Sequence, residues 1–190
     1  VHYPEVRFEP GPNVKYADET GQIVTAGGTS SWQDLIIHIV SRYCGPAEAM
    51  HIAKAHLLKW HGEGDLPYAN LSCRVAHADK AVRAAEDMLD AQFREGDAIA
   101  GVVSASDLAE RTLKRRFKSA TGSTLIEYMQ NLRIEEAKRQ LEFSDTAIDD
   151  ICADVGYENA AFFRQLFKRR CGLTPSEYRR MFQPIAQVHA

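Results

Sequence analysis

Beyond residue 79 the apolar positions of this chain recur at helical spacing. Val82, Ala85, Leu89 and Phe93 share one face of a helix over about 80–94, with Asp79 placed to cap it. Leu125, Tyr128, Met129, Leu132, Ala137 and Leu141 predict one long helix from Thr124 to about Glu142, opened by a Thr124/Glu127 capping box. At 1.5 Å per residue such a helix is roughly 28 Å long. Ile148, Ile151, Cys152 and Val155 predict a short helix, with Thr146 and Asp149 as its capping pair and Gly156 at its end. Asn159 then caps a helix over about 160–170 whose buried stripe is Phe163, Leu166 and Phe167. Thr174-Pro175-Ser176-Glu177 opens the last helix, with Pro at its first position.

The first 75 residues follow a different pattern. Val6-Arg7-Phe8 and Ile23-Val24-Thr25-Ala26 read as short strands, the second leading through Gly27-Gly28 into a helix over about 31–43 with Trp32, Leu35, Ile36, Ile39 and Val40 apolar. Gly45-Pro46 breaks the chain, a second helix is expected over about 47–60, and an irregular linker runs from His61 to about Ala78. Strand, Gly-Gly, helix is the order of an α/β layer. Two strands and two helices cannot cover both faces of a parallel sheet, so this stretch reads as the end of a larger domain. Val1 in place of an initiator Met agrees with a piece of a longer chain. The apolar helix face is then expected to lie open, without the sheet it would cover.

Residues 103–128 and 153–178 repeat one another at an offset of fifty. Lys114 pairs with Arg164, Phe117 with Phe167, Lys118 with Lys168, Gly122 with Gly172, Thr124 with Thr174, Glu127 with Glu177 and Tyr128 with Tyr178. A period of this size means one supersecondary unit used twice. Each copy reads as a short helix, a turn and a basic helix, the arrangement whose second helix enters the major groove of DNA.

Opposite Phe163 and Phe167 lie Ala161, Gln165, Lys168 and Arg169, with Arg164 on the flank. Opposite Leu113 and Phe117 lie Arg111, Arg115 and Lys118, with Lys114 on the flank. Arg bonds guanine edges in bidentate fashion, Gln does the same for adenine, and Lys neutralises phosphates. One basic helix face alone is more often a solvated surface. Duplication, turn glycine and capping together point instead to nucleic acid.

The run from Gly156 to Arg179, Gly-Tyr-Glu-Asn-Ala-Ala-Phe-Phe-Arg-Gln-Leu-Phe-Lys-Arg-Arg-Cys-Gly-Leu-Thr-Pro-Ser-Glu-Tyr-Arg, resembles the C-terminal signature of AraC/XylS-family transcription regulators. Arg111-Thr112-Leu113-Lys114-Arg115-Arg116-Phe117-Lys118 resembles the recognition helix of their first helix-turn-helix. The likeness covers about 79–183. It implies a mainly α, seven-helix domain in which two helix-turn-helix units, joined by a long helix, read successive major grooves on one side of double-stranded DNA. Carried across position by position, the base readers are Arg111, Lys114 and Arg115 in the first unit and Ala161, Arg164 and Gln165 in the second. Lys118, Asn159, Lys168 and Arg169 complete the DNA-binding set. Ala109 departs from the family's usual capping Ser or Thr, so that the start of that helix either depends on Asp107 or is weaker.

Tyr3-Pro4-Glu5-Val6, the run from Gly21 to Gly28, Asp34-Leu35 and the run from Gly45 to Ala49 resemble the C-terminal end of PfpI-type, class I glutamine amidotransferase-like domains, which precede AraC-type domains in GlxA-type regulators. This likeness implies the remnant of a flavodoxin-like α/β sensor domain over 1–68, a linker over 69–78 and a tail over 184–190. It also implies a small-molecule effector, a homodimer formed through the N-terminal domain, and a contact with RNA polymerase. An amidase or amidotransferase with an appended DNA-binding module is the other class to weigh. The family's nucleophile cysteine lies upstream of this stretch, so no position here inherits a catalytic role.

Charge refines this picture. The chain carries a net −3, of which −1 falls on residues 76–190 and −2 on 1–75. The balance disfavours indiscriminate binding to polyanions. It is polarised, however: 111–118 holds five basic residues and no acid, and 164–170 holds four and no acid. Asp145, Asp149, Asp150 and Asp154 are therefore expected to lie away from phosphates. Cys44, Cys73, Cys152 and Cys171 form no Cys-x-x-Cys pair and read as free thiols of a cytoplasmic protein. His51, His56 and His61 are spaced so that a helix scatters them, and His38 sits among isoleucines, so no metal or cofactor site is expected. Gly27-Gly28 lacks the lysine and full spacing of a phosphate loop and is assigned to close strand–helix packing. No apolar run approaches a membrane span.

Overall fold

The computed structural model describes residues 13–28, 31–62 and 64–187. The chain divides into two compact units, one ending at Ala69 and one beginning at Asn70. The strand expected at Val6-Arg7-Phe8 lies outside the described residues.

In the first unit, strands β1 (Val14–Tyr16) and β2 (Val24–Ala26) pair antiparallel, with Lys15 opposite Thr25. Strand β1 is not one of the two segments expected to be strands, and its pairing with β2 is antiparallel. Only seven residues separate the two strands, too few for the crossover that parallel pairing requires. The Asp18 carboxylate closes the hairpin by accepting from the Ile23 and Gln22 amides. Helices α1 (Trp32–Cys44) and α2 (Pro46–Ala55) follow. The second ends five residues short of the expected boundary because Leu57 turns left-handed at φ +53°. That reversal brings His61 back to Asp34 on α1, a fully buried carboxylate. Asp34 accepts from the His61 amide at 2.8 Å, the His61 ring at 3.1 Å and Asn13 at 3.0 Å. Trp32, Ile36, Ile39 and Tyr43, along one side of α1, stay exposed. An added Cβ on Gly28 would stand 2.9 Å from the Asp65 carboxylate, so what approaches the Gly27-Gly28 turn is an acid rather than the packed helix expected there.

In the second unit, α3 (Lys80–Gln92) is capped by Asp79, whose Oδ1 accepts from the Ala81 and Val82 amides. Then come α4 (Ala98–Ala105), α5 (Glu110–Thr121), α6 (Leu125–Phe143), α7 (Ile148–Asp154), α8 (Ala160–Cys171) and α9 (Pro175–Gln187). Helices α4, α5 and α6 begin fifty residues before α7, α8 and α9, so the sequence repeat is kept to the residue. Gly122 and Gly172 end α5 and α8 in the same left-handed turn, at φ +79° and +74°. Thr124/Glu127 and Thr174/Glu177 both form complete capping boxes.

Each copy has its own core. Val82, Leu89, Val102, Leu113 and Phe117 close around Leu125 and Tyr128, while Ile151, Val155, Phe163, Leu166 and Phe167 close around Ile134, Ala137, Leu141 and Tyr178. Helix α6 thus gives its first half to one core and its second half to the other. In both, a buried tyrosine meets a buried phenylalanine edge-on: Tyr128 with Phe117 at 5.4 Å and Tyr178 with Phe167 at 5.5 Å between ring centroids. The start of α7 differs from expectation. Its N-cap is Ala147, with no side-chain bond, because the Thr146 hydroxyl is engaged by Ser144 before the helix begins.

Gly156, at φ +89°, ends the turn after α7 against the chain that follows α3. A Cβ there would overlap the Arg94 carbonyl oxygen and stand 3.0 Å from the Arg133 guanidinium, whereas a Cβ on Gly122 meets nothing within 4 Å. Gly122→Ala is expected to cost about 1–2 kcal/mol, the left-handed penalty alone, and Gly156→Ala about 3 kcal/mol or more. Urea unfolding of both variants checks the order.

Candidate nucleic-acid interface

Leu113 and Phe117 fix the rotation of α5 by burying one side, which leaves Arg111, Lys114, Arg115 and Lys118 exposed on the other. Phe163, Leu166 and Phe167 do the same for α8, leaving Ala161, Arg164, Gln165, Lys168 and Arg169 exposed. The ten expected contact residues therefore fall into two groups, one per helix-turn-helix. Asn159 is the one already occupied in holding the fold: its Oδ1 caps α8 by accepting from the Phe162 amide at 2.9 Å. Ala109 caps α5 with no side-chain bond. The help expected from Asp107 is not what the turn uses, since the Leu108 amide donates to Ser106 Oγ instead.

The acids correct the expected picture. Asp149 does not stand apart from the basic surface, because its carboxylate accepts from Arg164 across the turn between α7 and α8. Glu110 likewise accepts from Lys114 one turn along α5. Arg111, Arg115, Lys118, Lys168 and Arg169 make no such pair among the described residues.

Two further cations have roles that sequence reasoning missed. Arg116 turns away from the exposed face and grips Asp79 with both arms of its fork, at 2.8 and 2.7 Å. Arg133, in the middle of α6, is 5% exposed and donates to the Phe93 and Glu95 carbonyls after α3 and to the Gly156 carbonyl after α7. It also lies over the Tyr157 ring at 5.0 Å. One guanidinium therefore ties the loop of the first copy to the turn of the second. Burial pulls its pKa down from the usual arginine value, yet an arginine stays charged. The available signal was its place in the apolar row Met129, Arg133, Ala137, Leu141, four residues apart.

The segment before α3 is bound to this unit too. The Leu71 amide donates to Glu135, Arg74 pairs with Asp87 and Asp90, and His77 pairs with the buried Glu86. Burial pushes the Cys171 thiol up to about 12 and raises Cys152 as well, so both are inert, and all four cysteines are free. Among the described residues no His, Cys, Asp and Glu cluster could hold a metal, and no helix is long and apolar enough to cross a membrane.

Residues 102–181 match the model of a helix-turn-helix domain family. The domain shares its fold with a probable AraC family transcriptional regulator from Rhodopseudomonas palustris, at 19% identity and a TM-score of 0.52 over 56% of this chain and 100% of that one. The DNA-binding domain of AdpA, solved in complex with a target DNA, aligns at 26% identity and a TM-score of 0.50 over 57% of this chain and 96% of that one. The transcriptional activator RhaR of Yersinia pseudotuberculosis is 38% identical over 77 residues, which are 40% of this chain and 27% of RhaR. Residues 102–181 are a helix-turn-helix domain with the fold of AraC-type DNA-binding domains. The two repeats are its paired helix-turn-helix units, and α5 and α8 are the second helix of each.

The AraC-type domain depends on charges held inside it, and two measurements expose them. Arg133→Met strands three buried carbonyls and is expected to cost about 3 kcal/mol or more. Arg133→Lys recovers only part, because an ammonium lacks the planar fork; urea unfolding of both variants tests this. Glu136 is held near pKa 2, first by Arg139 and then by Gln140 and Arg94, against 4.5 when free. A folded pKa below the unfolded one means that its stabilisation is complete above about pH 4.5 and fades as pH falls toward 2. Glu136→Gln should therefore flatten the fall in melting temperature across that window.

Proposed function

We propose that this chain is a sequence-specific transcription regulator that inserts α5 and α8 into successive major grooves on one side of double-stranded DNA. The observation that carries the reading is the pair of equivalent basic faces, each rotated outward by its own buried phenylalanine. Arg111, Lys114 and Arg115 act as base readers in the first unit, and Ala161, Arg164 and Gln165 in the second. Lys118, Lys168 and Arg169 take phosphates, and Asn159 adds its amide at the start of α8. The 19 residues of α6 span roughly 28 Å, close to the ~34 Å between neighbouring grooves. The AdpA domain, solved in complex with a target DNA, supports binding to duplex DNA, and the activator name of RhaR supports a role in activation, for which a contact with RNA polymerase is part of the proposal.

The matched stretch is 27% of RhaR, so the regulator's remaining activities are part of the proposal. Within it, residues 1–68 belong to a small-molecule sensing and dimerising domain of the PfpI-like, GlxA-type kind, 69–78 form the linker, and the DNA-binding domain occupies 79–183. The exposed Trp32, Ile36 and Ile39 on α1 support an interface there.

The test begins with selection of bound sequences from random duplexes by the 190-residue chain, followed by footprinting. An asymmetric footprint of about 15–20 base pairs is expected, and five base pairs inserted between its halves should reduce affinity to that of a single unit. Arg115→Ala should cost about 1–3 kcal/mol and relax preference at one or two base pairs, whereas Lys168→Ala should weaken all sequences alike. Failure to enrich any sequence, or undiminished protection of both halves after the insertion, would refute the reading.

A further inference from the structure

Resting on the DNA-reading function proposed above, we propose that Glu110 and Asp149 are specificity-determining positioning residues, which neutralise one reader cation in each unit so that phosphate alone does not recruit it. The argument starts from the repeat. Lys114 and Arg164 occupy the same place in the two copies, fifty residues apart, and both are tethered to a carboxylate. The acids come from different places. Glu110 lies one turn earlier on α5, where the second copy has Ala160, and Asp149 lies on α7, where the first copy has Ile99. The tether is therefore not inherited from the repeat itself. Two unrelated acids arrive at one repeat position, while Arg111, Arg115, Lys118, Lys168 and Arg169 on the same faces make no ion pair among the described residues.

Both pairs are solvent-open, with Lys114 and Arg164 about half exposed. Such pairs contribute little to folding stability, which leaves their effect on an approaching polyanion. A free cation gains from any phosphate, by counterion release, whatever the sequence. A cation already matched by a carboxylate gains little from a phosphate, and the carboxylate repels that phosphate. A base edge differs, because guanine N7 and O6 offer directed acceptors without a full charge, and Arg164 can donate to them while Asp149 holds the rest of its fork. Untethered Lys118, Lys168 and Arg169 thus supply general affinity, Arg111 and Arg115 read bases while still gaining from any phosphate, and the tethered position in each unit answers only to the correct base.

The experiment uses the 190-residue chain with two probes, the duplex enriched by selection and a random-sequence duplex of equal length, each titrated across a salt series. Asp149→Asn and Glu110→Gln are each expected to tighten binding to the random duplex about fivefold and to steepen its salt dependence by about one unit of slope. Affinity for the enriched duplex should change less, so the ratio of the two falls. Asp149→Glu, which keeps a carboxylate, should restore the ratio. Asp150→Asn removes the same charge from an exposed neighbour on α7 that holds no cation among the described residues, and should leave the ratio as it was. An unchanged ratio in Asp149→Asn and Glu110→Gln, or an equal fall in Asp150→Asn, overturns the inference while DNA reading stands. A wild-type chain that enriches no sequence overturns both.

Discussion

A single buried guanidinium holds the DNA-binding unit together. Arg133 stands where the two hydrophobic cores meet on α6, and its three carbonyl partners come from both halves of the repeat. A buried charge is costly unless fully bonded. The loop after α3 and the turn after α7 must therefore come close enough to satisfy it together. That approach is why Gly156 can carry no side chain, and why two cores that share no buried residue form one body. The separation of α5 and α8, on which the proposed reading of two grooves rests, is set by this one interaction and by the rigidity of α6.

Around that centre the two copies are alike where the backbone turns and unlike where the surface works. The turn glycines, capping boxes and edge-on tyrosines recur at an offset of fifty because each answers a local geometric demand. Other positions have diverged. Arg116 and Leu166 occupy equivalent positions, yet one reaches Asp79 and the other is buried in the core. The same freedom gave Lys114 and Arg164 acids from different helices. The repeat fixes the frame, and differences at solvent positions cost the fold little.

The first unit is organised around a polar group rather than an apolar one. Asp34 lies at its centre, bonded by Asn13 and His61, while the large apolar side chains of α1 face outward.

Much of the DNA-binding unit was legible in the sequence. Helical periodicity, caps and turn glycines are local signals, and the repeat supplied each of them twice, so α5, α6, α8 and the outward face of each recognition helix followed from spacing alone. Near the start of α7 a local rule failed, because the Thr146 hydroxyl has a competing partner in Ser144. In the first unit the sequence determined the helices but not the pairing of strands, since a Gly-Gly before a helix is equally compatible with a hairpin. Tertiary structure alone decided the partners of charged groups: Arg133 with three carbonyls, Arg116 with Asp79, Arg164 with Asp149, Asp34 with His61. Periodicity reports which side of a helix meets the core, because burial acts on the whole face. Each of these contacts depends on side chains meeting across residues distant in sequence, and that distance is set only when the helices have packed.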